Sequence, residues 1–433
     1  MPRAKRRTLR SPADPGQTDR PEPPLRRVES GRATSRQSSL LYFFIGLFLP
    51  LVFLAVYRFI YSSPIKSSSD LSVYERGLVK TDTSSDEILA ESSKVKENAS
   101  RRHLPLPVLA YITPWNARGY EMAKKFVSKF THISPVWYEL KSEGSKLLLE
   151  GRHNADTGWM ADLRMKGDPL ILPRVVLEAY PGELLRKKNQ WEKAIHLILK
   201  ECEELSYDGI VLESWSRWAA YGILQEPDLR SMALEFIKRL GKALHSVSPK
   251  GDSGRHLELI YVIPAPHTEN LGSYDFGPND FQTLSADIDG FSLMTYDFSG
   301  PNSPGPNAPL DWIRSSLQII LHNSNNGDQS HGHKIFLGIN FYGNDFVLSK
   351  GAGGGAVTGG DYLSLLKKYK PVIQWGEKFQ EHYFIYSVDN AQHAVFYPSL
   401  MSITMRLDEA RAWGVGLSIW EIGQGLDYFF DLL

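Results

Sequence analysis

The feature that most constrains this chain is an eightfold alternation. From residue 104 onward, apolar strand-like runs are separated by helical stretches. The runs are 108–115 (VLAYITPW), 133–140, 170–178 (LILPRVVLE), 209–215 (GIVLESW), 257–264 (LELIYVIP), 290–298 (GFSLMTYDF), 334–343 (KIFLGINFYG) and 415–421 (VGLSIWE). Near-continuous apolar runs suit strands buried on both faces, which is the condition of a parallel sheet. Eight of them, each followed by a helix or a long loop, predict an α/β fold, a (β/α)8 TIM barrel over 104–433. The helix expected at 190–205 places Trp191, Ala194, Ile195, Ile198, Leu199, Cys202 and Leu205 on one face. Stretches 229–247 and 310–322 have a similar pattern. An open doubly wound sheet is the alternative, but no Gly-rich phosphate loop follows the first run. The stretch 345–398 is too long for an ordinary crossover and predicts a small α+β insertion. It opens with SKGAGGGAVTGG, read as a flexible loop. A helix over 361–369 and short strands near 372–375, 382–386 and 393–396 follow.

The N-terminal hundred residues are of another kind. Residues 40–57 (LLYFFIGLFLPLVFLAVY) run for 18 positions without a charge, close to what a bilayer crossing needs. Pro50 is tolerable in such a helix. We expect a transmembrane helix over 40–61. A cleaved signal peptide is the rival, but the run begins nearly 40 residues in and lacks a small-x-small cleavage site. Residues 1–39 carry ten basic and four acidic side chains, a charge of +6. With 49 of each sign in the whole chain, the remainder holds 39 basic and 45 acidic residues, a charge of −6. The positive-inside rule then makes 1–39 a disordered cytosolic tail and puts the barrel on the lumenal or extracellular side of the endomembrane system or cell surface. Residues 62–103, rich in Ser, Lys and Glu, read as a flexible stalk with a glycosylation sequon at Asn98.

The mildly acidic body argues against nucleic acid as the main partner. Cys202 is the only cysteine, so no internal disulfide and no Cys-based metal site can form. In a helical run it reads as a small buried apolar residue. His331 and His333 lie on a polar loop (NNGDQSHGH) and read as solvated. Neither a metal nor a cofactor is expected.

A barrel keeps its chemistry at the C-terminal strand ends. Strand alternation puts Val211, Glu213 and Trp215 on one inward face of the fourth run. Here the sequence YDGIVLESW resembles the glycoside hydrolase family 18 signature, Asp-Gly-x-Asp-x-Asp-x-Glu. Asp208 and Gly209 match its opening pair. Val211 and Glu213 stand at the two inner aspartates, and Trp215 stands at the catalytic glutamate. Met294-Thr295-Tyr296-Asp297 resembles the family's strand-six motif. Gly338 to Gly343 is similar to the strand-seven motif, and Trp420 to the strand-eight tryptophan that floors the sugar site.

The resemblance implies a sugar whose own N-acetyl oxygen attacks the anomeric carbon, an exception to the two-carboxylate scheme. Tyr296 and Asp297 would brace the acetamide. An indole at Trp215 cannot deliver a titratable proton, and general acid catalysis contributes about 10²–10⁴-fold. Glu213 lies two residues earlier, roughly 6–7 Å deeper in the barrel. A structural carboxylate, paired with Asp297 or a hydroxyl, is its other reading. Glu421 is a second candidate acid, expected on the rim. Aromatic rings stack on pyranose faces, so Tyr111, Trp115, Trp215, Tyr296, Tyr342 and Trp420 are candidate oligosaccharide contacts, with Glu213, Asp297 and Glu421 beside them. Trp137 is weighed as either a contact or simple packing, and Trp215 as a possible plug. The expected function is a membrane-anchored, catalytically inactive chitin or N-acetylglucosamine-oligosaccharide binder. A glycoside hydrolase working through Glu213 or Glu421, and a protein-interaction scaffold without a sugar site, are the alternatives.

Overall fold

The computed structural model describes residues 71–96, 102–144, 146–249, 252–268, 270–321, 329–348 and 353–433, plus six positions between Phe48 and Arg58. Those six are helical and exposed. The run expected to cross a membrane, 40–61, falls mostly outside the described residues, as do the basic tail and Asn98. Among the described residues no helix is long and apolar enough to span a bilayer.

Sixteen strands are described. They are β1 (Val108–Ile112), β2 (His132–Pro135), β3 (Tyr138–Glu143), β4 (Lys146–Glu150), β5 (Leu170–Ile171), β6 (Arg174–Leu177), β7 (Gly209–Glu213), β8 (Glu258–Pro264), β9 (Gly290–Met294), β10 (Ile335–Asn340), β11 (Gly343–Val347), β12 (Gly353–Val357), β13 (Gln374–Gly376), β14 (Glu381–Val388), β15 (Ala391–Phe396) and β16 (Gly416–Trp420). The second expected strand is split into β2 and β3, and the third into β5 and β6. In the third the interruption falls at Leu172-Pro173, where proline removes a ladder donor. Counting each split strand once gives eight parallel neighbours. β1 pairs with β2, β2 with β5, β3 with β6, and pairing continues through β7, β8, β9 and β10 to β16. β16 pairs back with β1, so the sheet curls round on itself as expected of a barrel.

The Asp-Gly pair that opens the family signature belongs to the bottom of this sheet. Asp208 Oδ2 accepts from Ile171 N–H at 2.9 Å. Gly209 has φ +148°, and a Cβ there would lie 2.0 Å from the Glu258 carbonyl oxygen, so only glycine fits.

The helix Lys188–Leu205 buries Trp191, Ala194, Ile195, Ile198 and Cys202. Leu199 and Leu205 are partly buried against the same core. Burial pushes the Cys202 thiol pKa up, which leaves it inert. The lumen holds a separate cluster of Leu109, Tyr111, Leu172, Val211, Ile260, Val262 and Phe336.

The insertion is an antiparallel sheet in the order β12-β11-β15-β14-β13, with the helix Gly359–Tyr369. It begins earlier than expected, with β11 directly after β10. The glycine-rich stretch also departs from expectation. Gly353–Val357 pairs with β11 as an edge strand, because backbone ladder bonds need no side chains.

The expected flexible stalk is corrected for residues 71–96. They form a strap with a short helix, Ser85–Glu91, capped by the Ser84 hydroxyl. Val73 and Ile88 are buried in the main core. Arg76 donates to Glu91 at 2.6 Å and reaches Asp431 at 3.5 Å. Ser85 Oγ donates to the Pro371 carbonyl at 2.7 Å, and His382 Nε2 meets the Thr81 carbonyl at 2.9 Å. A few well-placed apolar side chains dock a segment whose overall composition is polar.

Candidate active site

Inward alternation along β7 puts Val211 in the lumen and Glu213 at its mouth. There the strand ends. Ser214 takes φ −150° and ψ −27°, and Trp215 opens the helix Trp215–Ala220. The period of two is lost, so Trp215 does not follow Glu213 into the barrel. Its ring is 0% exposed and packs outside the lumen against Phe276, at 4.9 Å between centroids. Its Nε1–H donates to the Tyr274 carbonyl at 3.0 Å, and the Arg230 guanidinium caps the ring at 4.9 Å. This corrects Trp215 both as a sugar contact and as a plug: it has no free surface and closes nothing.

Glu213 instead meets a residue not expected at the site. Arg174 continues the inward face of Leu170 and Leu172, and its Nε donates to Glu213 Oε2 at 2.7 Å. The same guanidinium lies 5.4 Å from the Trp420 ring centroid. The partner expected for Glu213 was Asp297 or a hydroxyl; the observed one is this cation. A single arginine in the apolar run LILPRVVLE, in phase with two inward leucines, was the signal available.

Trp420 is half-buried and lies 5.2 Å from the Tyr111 ring, tilted by 54°. Tyr111 is buried beneath it and donates its hydroxyl to Ser292 Oγ at 2.9 Å. Ser292 in turn donates to Ser418 Oγ at 3.2 Å, forming a hydroxyl chain across the lumen. Tyr111 is therefore a support under the floor, with almost no surface for a ligand.

The other wall comes from β9 and β10. Tyr296 is half-buried, its ring 6.4 Å from that of Tyr342 and nearly perpendicular to it. The buried Tyr342 donates its hydroxyl to Asp297 Oδ1. Asp297 sits at φ +59°, with its N–H donating to Asn307 Oδ1 at 2.7 Å. Its carboxyl is exposed at the rim, yet the protein on its inner side strips hydration and raises its pKa; the Tyr342 bond acts in the opposite sense. Burial holds the Tyr296 and Tyr342 phenols well above their ordinary pKa.

Asn307 is itself held from the insertion. The buried Glu381 accepts from Asn307 N–H at 2.9 Å and Ala308 N–H at 2.7 Å, and is paired with the buried Arg406 at 3.1 Å. The chain Arg406–Glu381–Asn307–Asp297–Tyr342 thus ties the insertion to the mouth. Nothing local in the sequence marks it, since its members span more than a hundred positions.

Glu421, expected on the rim, is 0% exposed. It accepts from Asn116 Nδ2 at 3.1 and 3.0 Å and from Thr113 Oγ1 at 3.3 Å. Burial raises its pKa to about 7, against the lowering by these bonds and by Gly423 N–H. A Cβ on Gly423 would stand 2.4 Å from Gly119 N, so glycine lets the two backbones close around the carboxylate. Glu421 is a clamp between the β1 loop and the segment after β16, and its place as a ligand contact or acid is corrected. The peptide bond joining it to Trp420 is cis.

Among the remaining aromatics, Trp115 is 66% exposed on the rim. Trp137 is buried in the outer layer, with Nε1–H donating to the Tyr120 hydroxyl at 2.7 Å. Tyr180 and Tyr221, not singled out in the sequence, are 58% and 55% exposed and meet edge to face at 6.2 Å beyond β6 and β7.

Comparison with known proteins bears on the family and the fold. The chain is 24% identical over 211 residues to "Uncharacterized glycosylase YvbX" of Bacillus subtilis, covering 48% of this chain and 57% of that one. It thus spans little more than half the length of that relative. The structure resembles a chitinase from Chromobacterium violaceum, with a TM-score of 0.62, 21% identity and coverage of 76% and 97% of the two chains. The spore cortex-lytic enzyme of Bacillus megaterium gives 0.61, 17%, and 75% and 72%. At such identities the likeness shows the fold alone. The family model described as glycosyl hydrolases family 18 matches residues 183–425, more than half of the chain and the span that carries β7, Tyr296, Tyr342 and Trp420; the chain belongs to that family.

Proposed function

We propose that the protein binds N-acetylated oligosaccharides at the barrel mouth without hydrolysing them. One observation carries this reading. The position of the family's acid is held by a tryptophan packed outside the lumen, and Glu213, two residues earlier at the mouth, is engaged as an acceptor by Arg174. Trp420 remains as a stacking floor, and Tyr296, Asp297 and Tyr342 remain as a polar wall. As a finer reading within the family, the Glu-x-Trp at 213–215, Thr113-Pro114-Trp115-Asn116 and the segment 419–433 resemble chitinase domain-containing protein 1. We further propose that 40–61 anchors the chain, with the barrel lumenal or extracellular. That rests on the apolar run and on the basic segment before it.

A second reading is favoured by the names of its relatives, which are glycosylases and lytic enzymes. Glu213 would then act as an acid once a ligand drew Arg174 away. Titration of residues 66–433 with chito-oligosaccharides, followed by tryptophan fluorescence and then by reducing-sugar release, separates the two. Saturable quenching without release supports the binder. Release that disappears in Glu213→Gln replaces it with the hydrolase, and a flat titration sinks both.

A further inference from the structure

The end of the barrel away from the mouth holds a second convergence of chemical groups. His245 closes the helix Pro227–His245, His256 precedes β8, and Asp289 immediately precedes β9. His245 Nε2 lies 2.9 Å from Asp289 Oδ2, and His256 Nε2 lies 3.0 Å from Oδ1. The two imidazole rings are 4.2 Å apart, and the three donor atoms fit within 4.8 Å.

We infer that His245, His256 and Asp289 form a binding site for a divalent transition-metal ion of the zinc type. The donor set is right: two imidazole nitrogens and one carboxylate, with room for water as a fourth ligand. A tetrahedral zinc ion with bonds of about 2.0–2.2 Å sets its ligand atoms roughly 3.3 Å apart. The separations of 2.9 and 3.0 Å run to the two different carboxylate oxygens, and one donor atom from each residue lies within 4.8 Å of the others, so ligation needs the widest pair to close by up to about 1.5 Å. The side chains have freedom to do so, because His245 is 26% and His256 46% exposed.

The carboxylate is oriented from behind. Leu259 N–H donates to Asp289 Oδ2 at 2.7 Å, the kind of outer bond that fixes a metal-binding carboxylate. Neighbouring cations leave the site open. Lys334 Nζ turns to the Ile288 carbonyl at 2.7 Å, and the ammonium of Lys242 faces Asp287 at 3.9 Å. On binding, each ring passes its Nε2 proton to Nδ1 and offers the lone pair to the ion. The ion would link the end of a helix to the starts of two barrel strands. That is a structural staple on the face where barrels keep stability and not chemistry.

The test uses the full chain, stripped of metal in detergent and titrated with Zn²⁺ against a chromophoric chelator. One equivalent should bind at micromolar affinity. His256→Ala, at a half-exposed position, should weaken binding at least about tenfold. Zn²⁺ should raise the thermal midpoint of the parent by about 2 °C or more and leave that of the variant unmoved. His331→Ala is the control for a competing pair at His331 and His333 and should bind as the parent does. The proposal fails if no equivalent binds, if His256→Ala binds as tightly as the parent, or if binding is lost only in His331→Ala.

Discussion

The two sides of the barrel mouth have been kept in different states. On the β9 and β10 side, Asp297 and Tyr342 stand braced by Asn307, Glu381 and Arg406, with Tyr296 beside them. On the β7 side, the strand stops at Glu213 and the next inward position has turned outward as Trp215. The wall that would grip an acetamide is supported from the insertion. The corner that would supply a proton has been absorbed into the packing between barrel and helices. The two corners are therefore built independently of each other, one braced and one packed away.

That contrast can be attacked directly. Glu381→Ala leaves Arg406 buried without its carboxylate, and loss of one partner of a buried pair costs about 3–5 kcal/mol. Denaturant unfolding should show that loss, and a change below about 1 kcal/mol would mean that the braced side is not held as described. The next largest effect is a pH dependence. Glu421 has its folded pKa raised to about 7 against an ordinary 4.5, so the folded chain holds more proton than the unfolded one between those values. Its contribution is fully favourable below about pH 4.5 and declines as pH rises toward 7, by up to about 3 kcal/mol. Stability curves for the parent and Glu421→Gln should differ by that slope, and parallel curves would refute it. Trp420→Ala should weaken chito-oligosaccharide binding about 10–100-fold, or roughly 1.4–2.8 kcal/mol, as read by calorimetry. Unchanged affinity would move the sugar away from the floor. The smallest effect belongs to the other side. Trp215→Phe should cost about 1 kcal/mol of stability through the lost hydrogen bond to Tyr274, with affinity held within about twofold. A large drop in affinity would show that Trp215 touches ligand after all.

The barrel was legible in the sequence because its strands are buried on both faces and each must be apolar throughout. Val211 and Glu213 were read correctly as inward for the same reason. Trp215 was not, because alternation holds only while the strand lasts, and Ser214 ends it with a conformation that the pattern of apolar residues does not record. Arg174 was overlooked because a lone cation in an apolar run reads as an interruption. Its purpose emerges only when Glu213 and Trp420 are brought around it. Glu421 was placed on the rim by its neighbour Trp420, yet its environment comes from Asn116 and Gly119, some three hundred positions away. The strap at 71–96 was hidden by composition: an average over polar residues conceals two apolar side chains in the right places.

The strap also sets an order of events during synthesis. Arg76 and its partner Asp431 are 355 positions apart, and the Tyr428 N–H that donates to the Ser92 carbonyl is made almost as late. β1 is likewise an early strand whose neighbour β16 lies about three hundred positions later. The strap and β1 both wait for late segments, and contacts so distant in sequence form slowly. Until those segments are made, the Arg76 and Ser92 bonds of the strap and the β16 edge of β1 lack their partners, a state in which a nascent chain draws on chaperones.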